Sequence, residues 1–598
     1  MISYKLVRRF HPSAASLTSL ASLALGVFGI ASLAASSAAA QPSPLPTGGP
    51  PTGEDEPKPE GIAEAAPKAA GLLATTPTLP PPRDRRKKFE VVTIDGYLRT
   101  RGDWLKNLHL GFDDDAAVGG APHPRPLGCS SPAGVPCDDT LKSSNLRLRL
   151  EPSIQLSETI AVHTQIDLFD NVVLGTSEPD PSSGSGLMLR RAWAEVSTGL
   201  GLLKFGRMPD HFGLGIASNS GRRANTDYAA WETLWQPSTL ANVGGTNPVG
   251  YDLDSDDGDT LDRLSFSAIV PGTPLRAIAA IDWPAANVTS ADEGIVARQP
   301  WDLDDNDDEK GWMLGVARFD APADFDDLVT RGKLALNYGA RVVRRTQDFD
   351  YAEPTTPGAT ADSYILRNHK EYQPNIWFKL GWGKLLIEAE AAARVGSVQN
   401  LADLGFDAPV DILAWGGVAR ASTRALDGKL GVGLEVGAAT GDEADGSPQG
   451  ATHLRDQALL PTDKTFNRFV FDPNYKIDLI LFRELIGSVS NAVYFRPWMS
   501  YELTRSISFR AQNVTAAALR PLATPGNSTM WGLELDTDLG YTSNGFHAGI
   551  AYGMFLPLAA MNHPEDSSGN GGDGFNYGTN AGDAGNAHTI QARFAVEF

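Results

Sequence analysis

Three features together predict the fold class. Apolar and polar residues alternate with a period of two over stretches of ten or more residues, the N-terminus has the pattern of an export signal, and the final segment alternates up to an aromatic last residue, Phe598. An all-β chain closed into an antiparallel transmembrane β-barrel of about 18 strands, with 16 as the alternative count, accounts for all three.

The first forty residues read as a signal peptide. Lys5, Arg8 and Arg9 form a positive n-region, residues 17–34 are largely apolar, and Ala38, Ala39 and Ala40 supply a small-residue cleavage site before Gln41. Cleavage there reduces 51 basic residues to 48, against 72 acidic ones. Residues 41–88 are rich in Pro and Ala and cannot bury enough apolar surface to offset their ordering entropy, so a disordered periplasmic linker is expected. It ends in the basic cluster Arg83, Arg85, Arg86, Lys87 and Lys88, read as a solvated hinge. The barrel domain is expected over 89–598.

Residues 531–541 show the strand pattern most fully. Trp531, Leu533, Leu535, Thr537, Leu539 and Tyr541 fall on one face, and Gly532, Glu534, Asp536, Asp538 and Gly540 on the other. The stretch is long enough to cross a bilayer, with an aromatic residue at each end of its apolar face. Leu430, Val432, Leu434 and Val436 alternate in the same way with Gly431, Gly433, Glu435 and Gly437, as do Leu146, Leu148 and Leu150 with Arg147, Arg149 and Glu151. Unpaired charge is costly in a dry core, so the charged face is expected to meet water. Alternation then nominates twelve inward, pore-lining residues: Arg147, Arg149, Glu151, Arg341, Glu388, Glu390, Arg496, Arg510, Glu534, Asp536, Asp538 and Arg593.

Eighteen such segments are separated alternately by tight turns and by long connectors. The turns are expected in the periplasm and the long loops outside the cell or folded into the lumen. The loop 208–260, with Tyr228, Trp231 and Trp235, is long and apolar enough to fold inward. Cys129 and Cys137 share the first long loop and are expected to form a disulfide after export. The acidic runs 250–263 and 302–309 resemble calcium-binding loops but miss the EF-hand spacing; they are read as a solvated rim, with divalent-cation binding as the alternative, and no metal site or cofactor is assigned. A net charge of -21 argues against nucleic acid as a partner.

Two stretches carry a resemblance. RRAWAEVSTGLGLLKFGRMPDHFGLG at 190–215 and FDPNYKIDLILFRELIGSVSNAVYFRPWMSYELT at 471–504 are similar to segments of a porin-like outer-membrane β-barrel family of delta-proteobacterial type. The first also resembles a strand-turn-strand element of general porins. The last ten residues, TIQARFAVEF, resemble the C-terminal strand of bacterial outer-membrane barrels, in which a terminal Phe is read by the barrel-assembly machinery. The resemblance implies a barrel in the outer membrane of a Gram-negative bacterium, in contact with lipid; porins commonly form trimers, and a homotrimer is left open by that analogy. It brings no substrate and no catalytic residue.

The functional expectation is a channel for passive diffusion of small hydrophilic solutes. A non-conducting anchor or adhesin that uses the acidic extracellular loops is the alternative. An outer-membrane enzyme is disfavoured: His163, His211, His369 and His453 are scattered, and neither a GxSxG element nor an HExxH helix is present.

Overall fold

The computed structural model describes residues 92–112, 139–175, 187–221, 258–284, 309–318, 320, 322–351, 364–401, 409–442, 464–564 and 581–598. The expected signal peptide, the linker, Cys129, Cys137, Tyr228, Trp231, Trp235 and most of both acidic runs lie outside these residues. The strands are β1 (Val92–Lys106), β2 (Thr140–Gln155), β3 (Ile160–Val173), β4 (Met188–Ser197), β5 (Leu202–Pro209), β6 (Thr260–Ile269), β7 (Arg276–Trp283), β8 (Lys310–Arg318), β9 (Leu334–Tyr351) and β10 (Tyr364–Trp382). They continue as β11 (Leu385–Val398), β12 (Val410–Ala425), β13 (Leu430–Ala439), β14 (Thr465–Phe466), β15 (Ala492–Glu502), β16 (Ile507–Ala517), β17 (Met530–Ser543), β18 (Phe546–Pro557) and β19 (Ala587–Glu597).

Apart from the two-residue β14, each strand pairs antiparallel with its sequence neighbours, and β19 returns to pair with β1 from Tyr97 opposite Glu597 to Lys106 opposite His588. The result is a closed barrel of 18 antiparallel strands. This settles the count against 16. β14 pairs in parallel with Asp411 and Ile412, at the stretch of β12 that extends beyond its pairing with β13. Closure leaves few unpaired strand edges, which a lipid environment would penalise heavily.

Alternation places the side chains as periodicity requires. On β17, Glu534, Asp536 and Asp538 are buried while Leu535, Leu539 and Tyr541 are exposed on the outer face. The outer face elsewhere presents Trp312, Leu314, Ile376, Trp415 and Phe594. One expected outward residue is corrected. Trp531 is only 1% exposed and donates its indole N–H to the Asn491 carbonyl. The cause is a bulge: Ala516 pairs with Gly532 but Ala517 pairs with Met530, so Trp531 is the extra residue and turns inward while Met530 takes the outer position.

The connectors alternate short and long around the barrel. At one rim, turns such as Asn544–Gly545, both with positive φ (48° and 78°), close two-residue hairpins. The exception at this rim is a helix, α1 (Pro322–Thr330), between β8 and β9. β9 begins at Leu334, just beyond α1, whose Phe325 and Val329 pack on β10. Gly381 makes the room: a Cβ there would meet the Val329 side chain at 2.5 Å and the Phe325 ring at 2.9 Å.

At the other rim, the described parts of two long connectors fold into the barrel. They are residues 210–221 after β5 and 464–491 before β15, and they join Leu108, Leu110, Phe112, Trp531 and Phe555 in one apolar cluster. The inward-packing residues of the first are Phe212, Leu214 and Ile216. Those of the second include Phe469, Phe471, Ile477, Leu479, Phe482 and Leu485. Burying each such side chain contributes roughly 1.5–3 kcal/mol. The charged inner face therefore meets packed chain, as expected of the described part of the 208–260 loop and, beyond that expectation, of 464–491.

The chain end takes part in closure. Gly96 N–H donates to the Phe598 carbonyl at 2.9 Å, and Phe598 N–H donates back at 3.1 Å. The Phe598 ring lies against Gly96, where a Cβ would approach it to 3.0 Å. Deleting Phe598 removes this seam and is expected to lower the yield of folded, heat-modifiable barrel on unheated SDS gels several-fold. An unchanged yield would show that the seam is dispensable.

Candidate functional site

All twelve residues nominated by alternation are on the inner face, and none is more than 7% exposed. Most are held by neighbours. Arg149 donates to Asp167 through Nε (2.6 Å) and Nη2 (2.8 Å) and lies over the Tyr97 ring. Arg147 pairs with Asp170, and Glu151 accepts from Gln165 at 2.6 Å. Glu388 accepts from Arg420 at 2.7 Å and from the Trp377 indole at 2.9 Å. Arg496 donates to Glu435 at 2.6 Å, with both groups fully buried. Arg510 donates to Gln512, which also donates to Asp536. Asp538 and Arg593 are buried on the same wall.

Several ionic partners were not nominated from sequence. Asp167, Asp282, Glu371, Arg394 and Glu435 sit on barrel strands, while Asp210 comes from a connector. The register itself was a usable signal in one case, because Glu435 stands directly opposite Arg496.

Two wall carboxyl groups anchor the inward segments. Glu534 on β17 accepts from three consecutive backbone amides, those of Leu479 (2.8 Å), Ile480 (2.8 Å) and Leu481 (2.7 Å). These amides lead into a single π-helical turn, Leu481–Leu485, whose Phe482 amide is capped in turn by Asp478 at 2.8 Å. Glu390 on β11 does the same for 210–221, accepting from Leu214 (2.6 Å), Gly215 (2.9 Å) and Ile216 (3.4 Å). Gly213 and Gly215, both at positive φ, let the backbone curl around that oxygen.

Ionisable groups of the connectors tie the two segments to each other and to the wall. Burial alone would raise the Asp210 carboxyl, but Arg263 (2.7 Å) and Arg341 (3.0 Å) hold it far below the usual carboxylate range. Burial pushes the His211 imidazole down to about 4. Its Nδ1 accepts from Ser220 N–H at 3.2 Å and its Nε2 donates to the Gly213 carbonyl at 3.1 Å, a pair that only the neutral ring can make. Asp259 and Asp472 both accept from the Asn219 amide at 3.2 Å. Burial, and for Asp259 the neighbouring Asp472, raise both carboxyl groups above the ordinary range.

The inward segments leave space beside them. One cavity of about 280 Å³ lies between the wall at Arg341, Glu371 and Arg394 and the stretch Phe466–Pro473. A second, of about 270 Å³, lies between Arg101 and the stretch Pro473–Val489. Among the described residues no group of three or more His, Cys, Asp or Glu is arranged to hold a metal ion.

Two outcomes follow from this geometry. Glu534→Ala leaves three buried amides without an acceptor and is expected to weaken docking of 471–491 by about 3 kcal/mol or more; limited proteolysis should then cut in that segment, and unaltered resistance would show that Glu534 does not hold it. The second concerns pH. The depressed His211 value contributes stability that is intact above its ordinary value of about 6.5 and is lost as pH falls through about 4. The raised Asp259–Asp472 pair contributes stability that is full below the ordinary carboxyl value of about 3.9 and is lost as pH rises through its raised value. Protease accessibility of 210–221 and 464–491 should increase at both extremes, with Asp472→Asn removing the alkaline limb and His211→Gln the acid limb.

No family model and no curated protein sequence matches the chain. Solved structures of outer-membrane proteins do match. Outer-membrane expressed OmpT of Vibrio cholerae is 11% identical, with a TM-score of 0.32, over 86% of this chain and 99% of that one. The outer membrane channel DcaP of Acinetobacter baumannii is 11% identical, with a TM-score of 0.35, over 85% and 97%. The outer membrane protein opdK of Pseudomonas aeruginosa is 11% identical, with a TM-score of 0.42, over 85% and 98%.

Proposed function

We propose that this protein is exported, inserted into the outer membrane of a Gram-negative bacterium and used there as a passive diffusion channel for small hydrophilic solutes. It would be a barrel of the porin-like type that segments 190–215 and 471–504 resemble. The short-turn rim and α1 would face the periplasm, the long connectors the exterior, and Phe598 would be read by the assembly machinery. The observation that carries this reading is the division of the wall. Ionisable side chains occupy the inside, while large apolar ones such as Trp312, Leu314 and Ile376 stand exposed outside. An 18-stranded barrel has a lumen wide enough to conduct. The inward segments narrow it and leave cavities beside them that are lined by both ionisable and apolar side chains. No catalytic role is assigned to any residue.

The apolar cluster inside the barrel favours a second reading, an anchor or adhesin that does not conduct. Single-channel recording in a planar bilayer separates the two. Stable current steps are expected, with a mild cation preference under a salt gradient, given the acidic balance of the chain. Asp536→Asn combined with Asp538→Asn should move the reversal potential toward anions. Silence from well-folded protein would transfer the assignment to the anchor.

A further inference from the structure

The larger cavity contains an unusual set of buried polar atoms. Glu309, His369 and Asn375 line it and are 1%, 1% and 3% exposed. Glu309 Oε2, His369 Nδ1 and Asn375 Oδ1 each lack a hydrogen-bond partner among the described residues. Buried polar groups are almost always satisfied, so three orphans on one cavity call for something that fills it.

Their chemistry is of one kind. Asn375 donates its amide nitrogen to Glu390 at 2.9 Å, which fixes Oδ1 as the free acceptor. His369 turns Nε2 toward Glu371 at 3.4 Å, which puts the ring hydrogen there and leaves Nδ1 an acceptor in the neutral ring. Glu309 Oε2 accepts by nature. The lining cations are already engaged: Arg394 is bidentate to Glu371 at 2.6 and 2.9 Å, Arg341 is bound to Asp210, Arg345 faces Glu309 at 3.8 Å and Arg468 donates to Ser490 at 2.9 Å, while Asp259 and Asp472 add acidic groups to the same lining. The cavity therefore offers acceptors in a locally balanced field, which suits a neutral solute with several donors.

The acceptors are also spread in a line. Asn375 follows His369 by six positions on β10, about 20 Å along the strand. Glu309, at the start of β8, stands near the His369 end, because Lys310 pairs with Thr346 and His369 with Gln347 on β9. The facing wall is Phe466, Phe469 and Phe471. A file of hydroxyl acceptors opposite an apolar wall matches a molecule with hydroxyl edges and C–H faces.

We propose that this cavity is a subsite for saccharide-class solutes, which pass along β10 with their hydroxyl groups donating to Glu309, His369 and Asn375. The assignment deepens the channel function proposed above and rests on it for its role, although binding can be measured without conduction. Maltose is the probe. It is titrated into the full-length barrel in a planar bilayer while ionic current is recorded, and into detergent-solubilised barrel by calorimetry. Saturable current reduction and saturable binding heat are expected. Glu309→Ala should weaken both about tenfold or more, and Glu309→Gln, which keeps an oxygen acceptor, should weaken them less. Mobility on unheated gels confirms that each variant is folded. Ionic current that falls only in step with viscosity, with no binding heat, would mean that the cavity holds water alone; it would overturn the subsite and leave the channel intact. Binding heat without any ionic current would sustain the subsite and remove the channel. Tighter binding of L-alanine than of maltose would overturn the saccharide assignment in favour of a zwitterion.

Discussion

A buried backbone amide needs an acceptor, and that requirement governs the interior of this barrel. The wall strands satisfy their own amides in the sheet, but the connectors that enter the lumen have no such ladder. Glu534 and Glu390 resolve this by each taking three consecutive N–H groups. The apolar side chains of the same segments can then pack together in the lumen with the backbone beneath them satisfied. The charged face of a strand serves here as a docking surface for polypeptide as well as for water.

The wall charges are arranged laterally and largely locally. Glu435 meets Arg496, Glu388 meets Arg420, and Arg149 meets Asp167, in each case between strands that are hydrogen-bonded neighbours. Replacing one partner would leave the other charge buried and uncompensated, which is far costlier than the net worth of the pair. Connector charges act over greater sequence distance. Asp210 links Arg263 of β6 to Arg341 of β9, which ties one inward segment to strands that follow it in the chain.

The wall of this fold was legible in the sequence because a strand with an apolar outer face and a charged inner face obeys a period of two. The alternating stretches traced around 146–151, 430–437, 531–541 and 589–598 all fall in barrel strands, β2, β13, β17 and β19. Where the alternation is broken by one inserted residue, as at Trp531, a strict period assigns the wrong face. α1 escaped notice because nine residues between two strands look like a turn until Gly381 is seen to make space for them. The inward direction of the nominated charges follows from alternation. Their partners do not, since Glu390 and Leu214 lie 176 positions apart and only the closed barrel brings them together.

That separation has a temporal meaning. Residues 210–221 precede β11 in the chain, and 464–491 precede β17, so each inward segment is synthesised before the acceptor it depends on. Loop closure over such distances comes late in assembly. The β1–β19 seam joins residues farther apart still, and each inward segment stays without its acceptor until a later strand has been made.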